Sequence, residues 1–146
     1  MKRALLFLTI ALCTLAGCAS SGAGANWSMI EGCWIDSSDA IPAASMIWRP
    51  DAMRPGAYLG AWRVPGPYED SVDFELAPDG EGMRLCQRAP GAALHCANAV
   101  LAPAATATVN ADAVFEVSAT DLAFGYADRP APFYIGRRGL CADANN

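Results

Sequence analysis

Six cysteines, one histidine and the Asp73/Glu75 pair of carboxylates are the side chains here with the most chemistry in them. His95 is the only imidazole, so any Ser-His-Asp or Cys-His set must use it. It lies near the Pro90-Gly91 turn, where a solvated side chain is the ordinary state. No Gly-x-Ser-x-Gly elbow and no phosphate-binding glycine loop is present. Lys2 is the only lysine, which leaves nothing beyond it for Schiff-base chemistry. Asp73 and Glu75 share one face of an alternating segment, and paired carboxylates can act as acid and base. Alternating acids on an outer strand face are far more often simply hydrated. His95 and Cys96 are neighbours, so in a strand they point to opposite faces and make poor joint metal ligands. The residues therefore predict a chain that is not an enzyme and needs no metal or cofactor.

The cysteine at position 18 has a different chemistry. Lys2 and Arg3 precede an apolar run, Ala4 to Ala16, broken only by Thr9, Cys13 and Thr14. That run is shorter than the roughly 20 residues a bilayer span needs, and it follows the pattern of an export signal. Its end, Leu15-Ala16-Gly17-Cys18, resembles the recognition sequence of the bacterial lipoprotein signal peptidase. The resemblance implies diacylglyceryl and palmitate on Cys18, removal of residues 1–17 as a signal peptide, and a membrane-held mature chain. Residues 18–26, the lipidated Cys and a tether of small residues, span on the order of 15 Å. The residue after Cys18 is Ala19 rather than Asp, and by the same resemblance this favours the outer membrane over the inner. Loss of Lys2 and Arg3 takes the net charge from −5 to −7. An acidic domain offers no footprint for nucleic acid and is weakly repelled by anionic lipid, so the lipid must supply the attachment.

Residues 27–146 are expected to form a single domain. Ten prolines punctuate it from Pro42 to Pro132 and leave no room for a long amphipathic helix. Between them apolar and polar residues alternate, as in Val72, Phe74 and Leu76 against Asp73 and Glu75. Eight or nine strands are predicted: Ile30–Ile35, Ser45–Arg49, Ala57–Val64, Ser71–Leu76, Gly82–Gln87, Leu94–Leu101, Val114–Ser118, Leu122–Tyr126 and Phe133–Leu140. One helical turn is expected at Asn26–Ile30, while Ala102–Ala113 reads as an edge strand or a loop. The fold class is thus all-β, a small closed or nearly closed antiparallel barrel of about eight strands.

With Cys13 in the signal and Cys18 lipidated, Cys33, Cys86, Cys96 and Cys141 remain, and four cysteines allow three pairings. Cys86 and Cys96 flank the Pro90-Gly91 turn, so a local bridge is the natural reading. That leaves Cys33 with Cys141, joining first strand to last if the barrel closes. The other two pairings stay open at this point.

Gly32-Cys33-Trp34 resembles the opening of calycin-type, lipocalin-like barrels. Trp48-Arg49-Pro50, Leu59-Gly60-Ala61-Trp62-Arg63 and Phe74-Glu75-Leu76 extend the likeness, over roughly residues 27–76, to a bacterial lipocalin-like Gly-Cys-Trp family of unknown function. The resemblance implies that Trp34 closes one barrel end with an Arg of the last strand against it. If Cys33 and Cys141 are bonded they share a face, and strand parity then selects Arg138 rather than Arg137. The bland alternative is two solvated arginines.

Trp34, Trp48, Trp62, Tyr58, Phe74 and Met83 are expected on the inner face, where they either fill the barrel or leave room for one small ligand. Arg49 and Arg63 each follow a Trp and should face outward. Three readings remain: a tethered barrel that binds a small apolar molecule, a protein-binding envelope module of the lysozyme- or protease-inhibitor kind, and a purely structural envelope lipoprotein. A hollow interior would favour the first. An ordered projecting loop, Pro50–Gly56 or Pro65–Tyr68, would favour the second. Solid packing without either would favour the third.

Overall fold

The computed structural model describes residues 25–38, 43–66, 70–80, 82–102 and 113–141. The signal-like segment, Cys18 and most of the tether lie outside the described residues, as do Pro67, Tyr68 and most of Ala102–Ala113. A 3-10 turn, Trp27–Ile30, leads into nine strands. These are β1 (Gly32–Asp36), β2 (Ser45–Pro50), β3 (Tyr58–Val64), β4 (Asp70–Asp79), β5 (Gly82–Arg88), β6 (His95–Ala102), β7 (Ala113–Val117), β8 (Asp121–Tyr126) and β9 (Tyr134–Gly139). Neighbours pair in chain order and β9 returns to β1, so the sheet is a closed barrel with no free edge.

The expected all-antiparallel ring is corrected at one point. β6 and β7 run parallel, with Ala99 opposite Ala113 and Ala102 opposite Glu116. Strand number explains this. In a ring of nine, directions cannot alternate all the way round, and β1 and β9 are antiparallel, with Trp34 opposite Arg138. One parallel pair must therefore occur elsewhere. Parallel neighbours need a crossover rather than a tight turn, and the ten residues 103–112 supply its length.

Period-two alternation sets the inside and the outside. Phe74 and Leu76 of β4 are buried, and Asp73 is exposed. Met83 and Leu85 of β5 are buried around an exposed Arg84. Arg49 and Arg63 lie on the outside as expected. The largest fully buried side chains are Trp34, Trp48, Phe115 and Phe124. Phe115 and Phe124 stack with centroids 5.0 Å apart. Trp48 packs against Phe115 at 5.8 Å and Phe74 at 5.9 Å, so aromatic rings occupy the middle of the barrel. The Trp48 ring lies across the backbone of Gly60, where a Cβ would stand 2.7 Å from it. Only glycine on β3 admits that approach.

Both expected disulfides are present. Cys33–Cys141 joins the residue stretches that begin and end the barrel, 108 positions apart, and Cys86–Cys96 staples β5 to β6 across a separation of 10.

Candidate functional site

The barrel has two unlike ends. One holds the starts of β1, β3 and β5, the end of β9, the loop Asp51–Ala57 and the 3-10 turn. The turn plugs it. Trp27 is buried edge-on against Phe115, at 5.5 Å between centroids, and Ile30 is buried beside it. Trp34 donates its indole N–H to the Ile30 carbonyl at 2.8 Å, which fastens the turn to β1.

Arg138 completes this closure. Its guanidinium carbon stands 4.2 Å from the Trp34 ring centroid, as parity predicted. Its three guanidinium nitrogens donate to the carbonyls of Ala119 at 3.0 Å, Glu31 at 2.8 Å and Met29 at 3.0 Å. Gly32 makes room for it: φ is +117° and a Cβ there would lie 2.8 Å from Arg138 Nη1. The glycine and tryptophan of Gly-Cys-Trp are thus both explained by one arginine a hundred residues away. Tyr134 adds a further clamp from β9, donating its hydroxyl to the Trp34 carbonyl at 2.7 Å, and burial, then Asp36, pushes its phenol pKa up. Each partner is a backbone carbonyl, so the cluster reads as architecture rather than as a reactive centre.

The loop beside the turn is also tightly organised. Asp51 N–H bonds to the Ala57 carbonyl, and Ala57 N–H to that of Arg54, at 2.8 and 3.1 Å. The Asp51 carboxylate accepts from Met53 N–H at 2.9 Å and from Arg54 Nε at 2.7 Å. These bonds, Met53 first, hold the Asp51 carboxyl below its ordinary range. Arg54 also reaches Glu75 on β4 and depresses that carboxyl in turn. Asp73 pairs with Arg63 at 2.6 Å. The two carboxylates weighed above as an acid–base pair are therefore engaged separately, by different arginines on the outer wall.

The other end, the mouth, includes the ends of β5 and β8, the start of β6 and the loop from Ala127 to Phe133. A depression of about 480 Å³ there is lined by Gln87, His95, Cys96, Ala97, Tyr126, Asp128 and Arg129. A second of about 410 Å³ adjoins it, sharing Gln87, Tyr126 and Arg129 and running on to Phe133. Tyr126 is the hinge of the two. Its hydroxyl donates to Gln87 Oε1, its ring meets His95 edge-on at 5.7 Å, and burial raises its pKa. Phe133 lies over the core rings, 5.1 Å from Phe124, 5.8 Å from Phe74 and 6.0 Å from Trp62. The mouth thus combines the Phe133 ring, backed by buried Phe124, with a rim of amide, imidazole, phenol and guanidinium.

Of the six residues expected on the inner face, the four that could line a ligand site, Trp48, Trp62, Tyr58 and Phe74, do not converge. Trp48 and Phe74 are buried in the core. Trp62 packs toward the mouth against Phe133. Tyr58 lies at the plugged end, in a depression shared with Trp27, Ser28 and Gly56, and burial raises its pKa. Sequence reasoning missed Gln87, Tyr126 and Phe133 as a group. Each belonged to a recognised strand, but only the β5–β6 register and the path of the β8–β9 loop bring them together. No cluster of three or more His, Cys, Asp or Glu side chains suited to a metal is found among the described residues, and no helix among them is long and apolar enough to cross a membrane. No family model, curated protein or solved structure matches the chain.

Proposed function

We propose that this chain is a lipid-anchored, non-enzymatic lipoprotein of the bacterial outer membrane, whose barrel takes a small amphipathic molecule at its mouth. The Phe133 ring, backed by buried Phe124, beside the polar rim of Gln87, His95, Tyr126 and Arg129 carries this reading. Such a site buries the apolar part of a ligand on rings and fixes its head by hydrogen bonds, the usual division of labour in small-molecule sites. The aromatic packing of the middle moves the expected ligand from the barrel interior to this mouth. The lipid itself is read from Leu15-Ala16-Gly17-Cys18.

Native mass spectrometry of the protein purified from its own membrane tests both parts. A mass increment on Cys18 supports the anchor. A co-purified amphipathic molecule, lost in Tyr126→Ala and Phe133→Ala, supports the mouth. Retention of the molecule by both variants would remove the mouth as its site.

A second reading is a protein-binding envelope module. It is favoured by the loop Asp51–Ala57, which projects in a fixed conformation and presents Met53 to solvent. In the same experiment a bound protein that is lost on Met53→Asp would favour it.

A further inference from the structure

We infer that the plugged end of the barrel is seated in the lipid leaflet that holds the anchor, with Met53 and Leu140 entering the interfacial layer and Met29 at its edge. The inference rests on the lipid-anchor reading of Cys18 and goes beyond it, because a tether alone would leave the domain free to tumble.

The distribution of exposed apolar side chains is the first observation. Met53 and Leu140 keep 86% and 96% of their surface in solvent, and Met29 keeps 37%. The other large exposed hydrophobics among the described residues, Leu59, Leu94, Phe133 and Ile135, lie on the walls or at the mouth and keep between 41% and 56%. Among the described residues, the two most exposed large apolar side chains thus stand at one end. Their placement is fixed by contacts already described. Arg138 bonds the Met29 carbonyl and stands two residues before Leu140. The loop that carries Met53 shares a depression with Ala25, Asn26, Trp27 and Ser28 through Gly56.

Chain length identifies the occupant. Six residues lie between Cys18 and Ala25, the first described residue, which stands at this same end seven Cα steps away. Even fully extended these steps reach only about 25 Å, and as a flexible coil about 15 Å. The plugged end is therefore the end that a lipid on Cys18 can bring onto the leaflet at the shortest reach.

Charge at this end is largely compensated. Asp51 and Glu75 are paired with Arg54, Asp79 with Arg84 and Asp121 with Arg137. The loop is held by its own hydrogen bonds, so presenting Met53 requires little ordering on contact. An unbranched thioether also adapts readily to an irregular apolar layer.

The test uses the full chain, produced with its lipid and reconstituted in vesicles of phosphatidylethanolamine and phosphatidylglycerol. An environment-sensitive dye is placed on Met53→Cys or, at the β5–β6 turn, on Ala92→Cys, and intact mass is measured first. A blue shift and shallow nitroxide-lipid quenching at position 53 but not at 92 is expected, and Leu140→Ser should reduce the shift. Equal or larger effects at 92, or none at 53, on protein whose mass carries the lipid would overturn the seat and leave the anchor standing. An unmodified Cys18 would overturn the anchor and the seat with it. A shift at 53 that needs no vesicles and grows with protein concentration would assign the face to a second copy of the chain instead. As a check without added cysteines, amides 51–57 of the unsubstituted lipidated protein should exchange more slowly on vesicles than those of Cys18→Ser in solution, and equal rates would count against the seat.

Discussion

The plugged end and the mouth of this barrel are built from similar materials to opposite effect. Each offers a tryptophan or tyrosine, an arginine and several backbone carbonyls. At the plugged end Arg138 directs three nitrogens onto the carbonyls of Met29, Glu31 and Ala119 and lies over Trp34, whose indole N–H is itself bonded to Ile30. At the mouth Arg129 makes no ion pair among the described residues, and Tyr126 shares one hydrogen bond with Gln87. The difference lies in where polar groups find partners. Backbone carbonyls consume the donors at one end and leave a cap. At the other the donors stay available around a set of rings, as a recognition surface requires.

The sharpest way to break this contrast is through the disulfides. Removing the bridge at the plugged end with Cys33→Ser and Cys141→Ser should cost about 5 kcal/mol in the chain-entropy picture, because the loop is 108 residues long. Removing Cys86–Cys96, with its separation of 10, should cost about 3 kcal/mol. Urea denaturation of the two double variants compares them directly, and the reverse order would show that the barrel does not depend on tying its ends.

The two central tryptophans give the next largest effect. Trp34→Phe removes the buried N–H bonded to the Ile30 carbonyl and leaves Arg138 a smaller ring, about 2–3 kcal/mol. The Trp48 indole N–H is buried without a partner, so Trp48→Phe sheds a donor that costs stability where it stands and should lose about 1 kcal/mol less. Thermal melts would reveal the order. Arg138→Met should follow at about 2 kcal/mol, since it leaves three carbonyls unpaired, whereas Arg129→Met should stay within about 0.5 kcal/mol. If the two arginine variants melted alike, the claimed difference between the ends would fail.

The smallest effect is electrostatic and concerns the loop. Asp51 and Glu75 have folded-state pKa values below their unfolded ones. Their contribution is therefore present above the ordinary carboxylate range and is lost as pH falls through the depressed folded values. Amide exchange in residues 51–57, corrected for its intrinsic pH dependence, should lose protection on acidification before the core strands do. Arg54→Met should bring that loss to neutral pH.

Much of this was readable from local signals, and the remainder was not local. Alternation gave the inner and outer faces of β4 and β5 because one side of each strand is buried and the other is not. Turn residues placed the strand ends to within a few positions. Arg138 could be chosen over Arg137 because a disulfide transmits parity from one strand to another. The parallel β6–β7 pair could not be seen, since direction around a ring is a property of the whole count and not of any strand. The split of Trp48, Phe74, Trp62 and Tyr58 between core, mouth and plug was likewise invisible. Inward pointing is a local property, but height along the barrel axis depends on register with every neighbour.

The nesting of the two disulfides carries a consequence for how the chain matures. The short bridge lies inside the long one. With Cys13 removed and Cys18 lipidated as proposed, a chain that emerges N-terminus first and oxidises its cysteines as they appear would join Cys33 to Cys86 and strand the last two together. The native pairing is reached only if β9 is laid against β1 before Cys33 reacts, or if a thiol–disulfide exchange catalyst corrects an early error. By the first route Cys33 waits for a partner made more than a hundred residues later, and the barrel acts as the template for its own covalent closure. Slow appearance of the long bridge after rapid formation of the short one, followed by trapping free thiols during refolding, would be the signature of that order.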